Sequence, residues 1–237
     1  MVIRKHFEEE LERFNTEILK MATLTEGAIF KSVEALKNRD LKLAQSVIGD
    51  DRIVDEQELL IEEMAIDFLA LQNPKARDLR FITTGMSINT ELERIADLAV
   101  NISQRVLDLG DQPLIKPLID IPKLTAVVRK MIKDVIDAFV NQDEKLAKSV
   151  ILSDPDADKL RNMIFDELVH EFMVKNGKSV PRAIPLLLIT RYLERIADHA
   201  TNIAEDIVYM VKAEVVKHHP ERLKNGQKNR KRTKKSR

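Results

Sequence analysis

Apolar residues recur at three- and four-residue spacings along almost the whole chain, the pattern of amphipathic helices. Phe7, Leu11, Phe14, Ile18, Met21, Ala22, Thr25, Ile29, Val33 and Leu36 form the first stripe. Asn38-Arg39-Asp40 interrupts it, and Asp40 suits the N-cap of a following helix. That second helix is predicted from Leu41 to Leu71, through Leu43, Val47, Val54, Leu59, Ile61, Ala65, Phe68 and Leu69, with a bend at Gly49-Asp50. Asn73-Pro74 closes it, because a residue before proline is pushed out of helical geometry. A third helix is predicted from Lys75 to Leu109.

Gly110 to Pro122 holds three prolines and reads as a linker, after which the pattern restarts. Lys123–Val140 is predicted helical, and Asn141-Gln142-Asp143 is a turn that ends in a cap. Glu144–Lys175 is a helix interrupted at Ser153-Asp154-Pro155. Asn176-Gly177-Lys178-Ser179 is a second turn, and Pro181–Lys217 a last helix, kinked at Pro185.

The halves repeat one another. Glu93-Arg94-Ile95-Ala96-Asp97-Leu98-Ala99-Val100-Asn101-Ile102 returns 101 residues later as Glu194-Arg195-Ile196-Ala197-Asp198-His199-Ala200-Thr201-Asn202-Ile203, with eight of ten positions identical. Upstream, Asp40, Ala44, Ser46, Val47, Ile48, Asp51 and Asp55 match Asp143, Ala147, Ser149, Val150, Ile151, Asp154 and Asp158. A unit this long is a duplicated domain and not a solenoid repeat. The expected fold is all-α: two tandem antiparallel up-down-up three-helix bundles. The expected boundaries are 1–110, a linker at 111–122, a second bundle at 123–217 and a basic tail at 218–237.

Composition agrees. With no Trp, 2 Tyr and 8 Phe, the core must be aliphatic, and 6 Gly with 8 Pro leave few turns. The absence of Cys excludes disulfides and thiolate metal sites. Residues 1–20 lack the apolar centre of a signal peptide, and no apolar run reaches membrane-spanning length, so the expected location is the cytoplasm. The net charge of zero hides an asymmetry. Residues 218–237 hold nine Lys/Arg and one acid, a tail of +8 on a body of 30 basic and 38 acidic residues. An acidic body argues against specific nucleic-acid binding.

The candidate chemistry lies in four acidic pairs at i, i+4 spacing: Asp51/Asp55, Glu93/Asp97, Asp154/Asp158 and Glu194/Asp198. That spacing puts both carboxylates of a pair on one helix face. Asp51/Asp55 and Glu93/Asp97 lie about equally far, some 20 residues, on either side of the Asn73-Pro74 turn, so an antiparallel hairpin brings them to one height. The second half repeats this around Asn176-Gly177. Two carboxylates about 5 Å apart repel by roughly 3 kcal/mol at an effective dielectric of 20. Four together call for raised pKa values or a cation, and a hard divalent ion suits oxygen ligands. All eight residues are therefore candidate metal ligands. Asn101, Asn202 and His199 stand beside them as a candidate outer shell, His199 equally as a histidine hydrogen-bonded near the acids. Iron, zinc, magnesium and manganese are all admissible.

Acidic pairs on solvated helices are common, so the bland alternative is a structural scaffold with ordinary surface acids. Metal analysis of protein purified without chelator separates the two readings. A di-iron carboxylate enzyme is the other alternative, but its Glu-x-x-His pairs are missing among these acids. His170-Glu171 lacks the second histidine of a zincin helix, and neither a P-loop nor a nucleophile elbow is present.

The repeated E-R-I-A-D-x-A-x-N-I segments, the run Glu194–Val211 and Pro74–Ile82 resemble the PhoU family over roughly residues 5–212. The resemblance implies two three-helix bundles whose E/D-x-x-x-D motifs bind metal ions or multinuclear clusters. It also implies a homodimer and a non-enzymatic adaptor that represses phosphate uptake and phosphate-starvation signalling, through a membrane sensor histidine kinase and the ATPase of the phosphate transporter. Ala96 and Ala197 replace a frequent family glycine, and Leu98 replaces the histidine kept as His199. The tail lies outside the resemblance. It cannot bury apolar area, so it is expected to be disordered and, in the first place, solubilising. Its other expected role is attraction to anionic lipid beside a membrane partner, worth about 1 kcal/mol per basic residue near the surface. On that second reading, deletion of residues 221–237 lowers co-sedimentation with anionic vesicles at low salt, and unchanged sedimentation refutes it.

Overall fold

The computed structural model describes residues 2–72 and 74–215, with backbone alone for residues 2–6. Asn73 of the first predicted hairpin turn, Lys217 and the basic tail lie outside the described residues. Six α-helices follow in order: α1 (Val2–Asn38), α2 (Leu41–Leu71), α3 (Ala76–Leu109), α4 (Asp120–Val140), α5 (Glu144–Asp166) and α6 (Val180–Lys212). No strand occurs among the described residues. Helices α1–α3 form one antiparallel bundle and α4–α6 the other, the all-α duplicated architecture expected.

The two α–α turns are the same device used twice. Arg39 (φ 57°) and Gln142 (φ 49°) take the left-handed conformation at equivalent positions. Each is followed by a capping aspartate. Asp40 Oδ1 accepts from Leu43 N at 2.9 Å, and Asp143 Oδ1 accepts from Lys145 N at 2.8 Å and Leu146 N at 3.1 Å. These bonds satisfy donors that a helix start otherwise leaves open.

Several predicted boundaries shift. Helix α4 begins at Asp120 and not Lys123, because Asp120, Ile121 and Pro122 fill its first turn. A proline there sacrifices no helical hydrogen bond. Helix α5 is not interrupted at Ser153-Asp154-Pro155 but runs through Pro155. Buried Val150, Ile151 and Ala157 anchor it on both sides of the proline. Where an α-helix was expected to reach Lys175, Glu167–Val174 instead widen into a π-helical segment. A 3₁₀ turn at Gly177–Ser179 leads into α6. That last helix ends at Lys212, short of the predicted Lys217. Ala213 turns left-handed (φ 55°) and its N–H bonds Tyr209 O at 2.8 Å. Gly49 and Asp50 lie inside unbroken α2, and Pro185 inside unbroken α6.

The two bundles share one continuous aliphatic core. Helix α3 packs along α6, and α1 also touches α4. Phe81 of α3 stacks on Phe139 of α4, with ring centroids 5.1 Å apart. Arg80 Nε donates to Met210 O at 3.2 Å, and Arg129 stands 4.9 Å over the Phe30 ring. These contacts tie the repeats into one body.

At Gly85 the backbone of α3 lies directly against side chains of α1. A Cβ there would meet Phe14 Cε1 at 2.5 Å, Phe14 Cζ at 2.7 Å and Ile18 Cδ1 at 2.9 Å, and both side chains are fully buried. Gly85→Ala is therefore predicted to destabilise the protein by about 1–3 kcal/mol through overpacking, despite the better helix propensity of alanine. Gly27 and Gly49 have open space around the same atom. Gly27→Ala and Gly49→Ala should each raise stability by about 0.5–1 kcal/mol in urea melts.

Candidate functional site

Helix α3 is buried around most of its circumference by Leu92, Ile95, Ala96, Leu98, Ala99 and Ile102. Glu93, Asp97 and Asn101 occupy the strip that remains, along the groove towards α2. The structure brings the acids of the two helices together as their heights predicted. Partial burial raises the Asp51 carboxyl, and Asp55 and Asp97 push it further. Burial also raises Glu93, and the charges of Asp97, Glu58 and Asp55 add to the shift.

Glu58 and Glu62 extend this first cluster, and neither was singled out from the sequence. The Glu58 carboxyl is raised by burial and then by Glu62, Asp55 and Asp97, with Arg94 opposing. Position 58 follows Asp55 by one turn, so it lies on the same face. Asn89, one turn before Glu93, is 3% exposed. Its Nδ2 donates to Glu58 O at 2.9 Å, and its buried Oδ1 has no hydrogen-bond partner.

The second cluster gathers Asp154, Asp158, Glu194 and Asp198 between α5 and α6. Burial raises Asp154 and the charge of Asp158 adds to it, while a 3.3 Å hydrogen bond from Thr201 Oγ1 opposes. Asp198 is pushed up to about 6 by desolvation and by Glu194, Asp154 and Asp158. Here, however, a cation is already present. Arg161 Nη2 stands 3.1 Å from Glu194 Oε1 and 3.7 Å from Asp158 Oδ1. Arg161, Phe165, Thr190, Glu194 and Asp198 line a cavity of about 500 Å³ beside Arg191 and Arg195.

The outer residues divide. His199 Nδ1 lies 2.5 Å from Glu91 Oε2, and Asn202 Nδ2 donates to both Glu91 oxygens at 3.4 Å. Both reach across the seam to α3 of the other bundle, while the charge of His199 also acts on Asp198 and opposes its upward shift. The Glu91 contact crosses 108 residues, a pairing no local spacing signals. Asn101 stays half-buried on the α3 strip.

The donor chemistry of the first cluster suits a hard divalent ion in kind, since its side chains offer oxygen donors alone, with Asp51, Glu58 and Glu93 half-buried and Asp55 and Asp97 exposed. The second fits less well, since Arg161 has taken two of its four carboxylates. Among the described residues no three His, Asp or Glu side chains form a group ready to hold a metal ion as they stand.

Fold and sites together define a class: an internally duplicated helical protein with a carboxylate cluster between the second and third helix of each bundle. The PhoU domain matches residues 18–106 and again 121–207. The phosphate-specific transport system accessory protein PhoU homologue of Aquifex aeolicus is 38% identical over 210 residues, covering 89% of this chain and 95% of the relative. The Clostridium acetobutylicum homologue of the same name is 35% identical, covering 88% and 95%. The crystal structure of PhoU from Pseudomonas aeruginosa superposes with a TM-score of 0.84 at 32% identity, over 88% of this chain and all of that one. The phosphate transport system regulatory protein PhoU from Streptococcus pneumoniae gives 0.82 at 28% identity, over 89% of this chain and 99% of that one. This chain belongs to the PhoU family.

The raised carboxyls make stability depend on pH in a defined direction. Asp51, Glu58, Glu93, Asp154 and Asp198 all bind protons more tightly when folded. Stability should thus rise as pH falls from 7 through about 6, the Asp198 value, towards the unfolded aspartate value of about 4. Asp120 and Glu144 are lowered by lysine partners, so their contribution is lost only below that window. Metal-free protein should melt at a higher temperature at pH 5 than at pH 7, and Asp198→Asn should flatten the slope. A wild-type melting temperature that falls from pH 7 to pH 5 contradicts this account.

Proposed function

We propose that this protein is a metal-binding cytoplasmic adaptor, without catalytic activity, that negatively regulates phosphate uptake and phosphate-starvation signalling. In this reading it couples a phosphate ABC transporter, through its ATPase subunit, to a sensor histidine kinase, and it works as a homodimer. The observation that carries the proposal is the match of both repeats to PhoU domains, together with full-length likeness to proteins named as accessory and regulatory components of phosphate transport.

The carboxylate clusters supply the metal part of the reading. A divalent ion bound between α2 and α3 cancels the repulsion of Asp51, Asp55, Glu93 and Asp97, and so stiffens the hairpin that presents the bundle's outer faces. That role is structural or regulatory. No helix among the described residues is long and apolar enough to cross a membrane, which suits a component that meets its membrane partners from the side.

Affinity purification of the full chain from phosphate-replete cells should recover the transporter ATPase and the sensor kinase, and should lose the kinase after phosphate withdrawal. Glu93→Ala with Asp97→Ala should lower metal retained after Mn²⁺ loading and gel filtration, with helical circular dichroism unchanged. Recovery of neither partner in phosphate-replete cells refutes the adaptor role. Equal metal on wild type and the double variant refutes the assignment of that cluster.

A further inference from the structure

Helix α2 carries an apolar stripe that its own bundle leaves uncovered. Leu59 is 63% exposed and Ile66 52%, two turns apart on one face, with Glu62 and Glu63 on either side of the line between them. A single exposed leucine is ordinary, but an apolar pair bracketed by like charges is an amphipathic face turned outward. Among the described residues Glu62, Glu63 and Asp67 enter no ion pair, while Arg52 is committed to Glu56. The stripe is therefore apolar along its middle and acidic at its edges.

The corresponding surface of the second bundle has the opposite chemistry. The 103-residue offset turns Glu58 and Glu62 into Arg161 and Phe165, and the 101-residue offset turns Thr83 and Thr90 into Ile184 and Arg191. Phe165 is 42% exposed and Ile184 44%. Phe165 and Leu187 line the open cavity between α5 and α6 together with Arg161, Arg191 and Arg195. Arg161 is held by Glu194 and Asp158, but Arg191 and Arg195 are exposed and enter no ion pair among the described residues. Asp198 bounds this groove one turn beyond Arg195.

Both surfaces lie on one side of the molecule. Equivalent helices meet across the seam, α3 with α6 and α1 with α4. Arg80 meets Met210 and Glu91 meets His199, so α3 runs antiparallel to α6. A local twofold therefore relates the bundles, and the α2–α3 and α5–α6 grooves open on the same face. The α2 stripe flanks the first of these grooves, where the charge of Glu62 acts on Glu58. Unchanged copies would present two acidic faces that repel each other. The substitutions in the second copy make the two faces complementary instead.

We infer that this chain self-associates by seating the α2 stripe of one copy in the α5–α6 groove of another, with Leu59 and Ile66 against Phe165, Ile184 and Leu187, and Glu62 and Glu63 against Arg191 and Arg195. The inference rests on the homodimer reading above and names the surfaces that make it. Because stripe and groove share a face, a twofold pair makes the contact twice and closes, with no open end from which a filament could grow. Exposed aromatic and arginine side chains are the usual anchors of such contacts. The charges set orientation and choice of partner more than strength.

Sedimentation equilibrium of the full chain should show a dimer whose dissociation constant rises with salt. Glu62→Lys/Glu63→Lys and Arg191→Glu/Arg195→Glu should each raise that constant tenfold or more, with helical circular dichroism unchanged. Mixed in equal amounts, the two variants should form a heterodimer, since the new lysines of one face the new glutamates of the other while the second contact stays native. Phe165→Ser should weaken the wild-type dimer in the same direction. A dimer indifferent to these changes, or charge variants that do not associate when mixed, overturns this docking and leaves the homodimer reading standing. A wild-type chain that is monomeric at every concentration overturns both.

Discussion

The packing of α3 against α6 is the constraint on which the rest of the structure depends. Each of these helices is the third of its bundle, and each must bury one side against its own hairpin and another against its counterpart. Small residues are prominent among the buried positions of both helices: Ala96, Ala99, Ala197, Ala200 and Ala204 are all essentially fully buried. With so much of the circumference committed, only a narrow strip of each helix can carry charge. The motif acids occupy that strip, so their position is dictated by where burial is not required.

Charge placed there relaxes only in part: Asp55, Asp97 and Asp198 are exposed, whereas Asp51, Glu93, Asp154, Asp158 and Glu194 are half-buried. A carboxylate pair on an isolated helix can swing into water at a cost of a few tenths of a kcal/mol. Between two long helices locked by an aliphatic core, the same groups face acids from the neighbouring helix under partial desolvation. Burial is the largest cause of the shift at Asp51, Glu93, Asp154 and Asp198, and the neighbouring acids add to it. The fold stores electrostatic strain at two equivalent sites. A cation of any origin, ionic or covalently tethered, can release it.

The seam between the bundles shows how far the copies have separated. On one side His199 and Asn202 of α6 close on Glu91 of α3. The positions that correspond to Glu91 and His199 under the repeat are Tyr192 and Leu98, and Leu98 is buried in the core. The polar Glu91–His199 link therefore has no polar counterpart at the equivalent positions, although the helices descend from one unit. A polar link of this kind specifies which surfaces meet, whereas the aliphatic contacts supply most of the burial. It lies next to Asp198, which ties the geometry of the second cluster to the way the bundles meet.

The sequence by itself determined the helices, the duplication, both capped turns and the meeting of acids from paired helices. All of these follow from local periodicity, from capping chemistry and from the fixed rise of a helix. It also carried the family signature in Glu93–Ile102 and Glu194–Ile203. Helix ends near proline were misplaced because burial on both sides of Pro155 outweighs one lost hydrogen bond. The spacing of Arg161 from Asp158 already placed it on the face of the second set of acids, but its reach to Glu194, the assignment of His199 and Asn202 to Glu91 and the orphaned oxygen of Asn89 were decided by tertiary structure alone. Each depends on which side chains of distant helices face one another across a packed seam or groove, and side-chain spacing along a single helix holds no information about that.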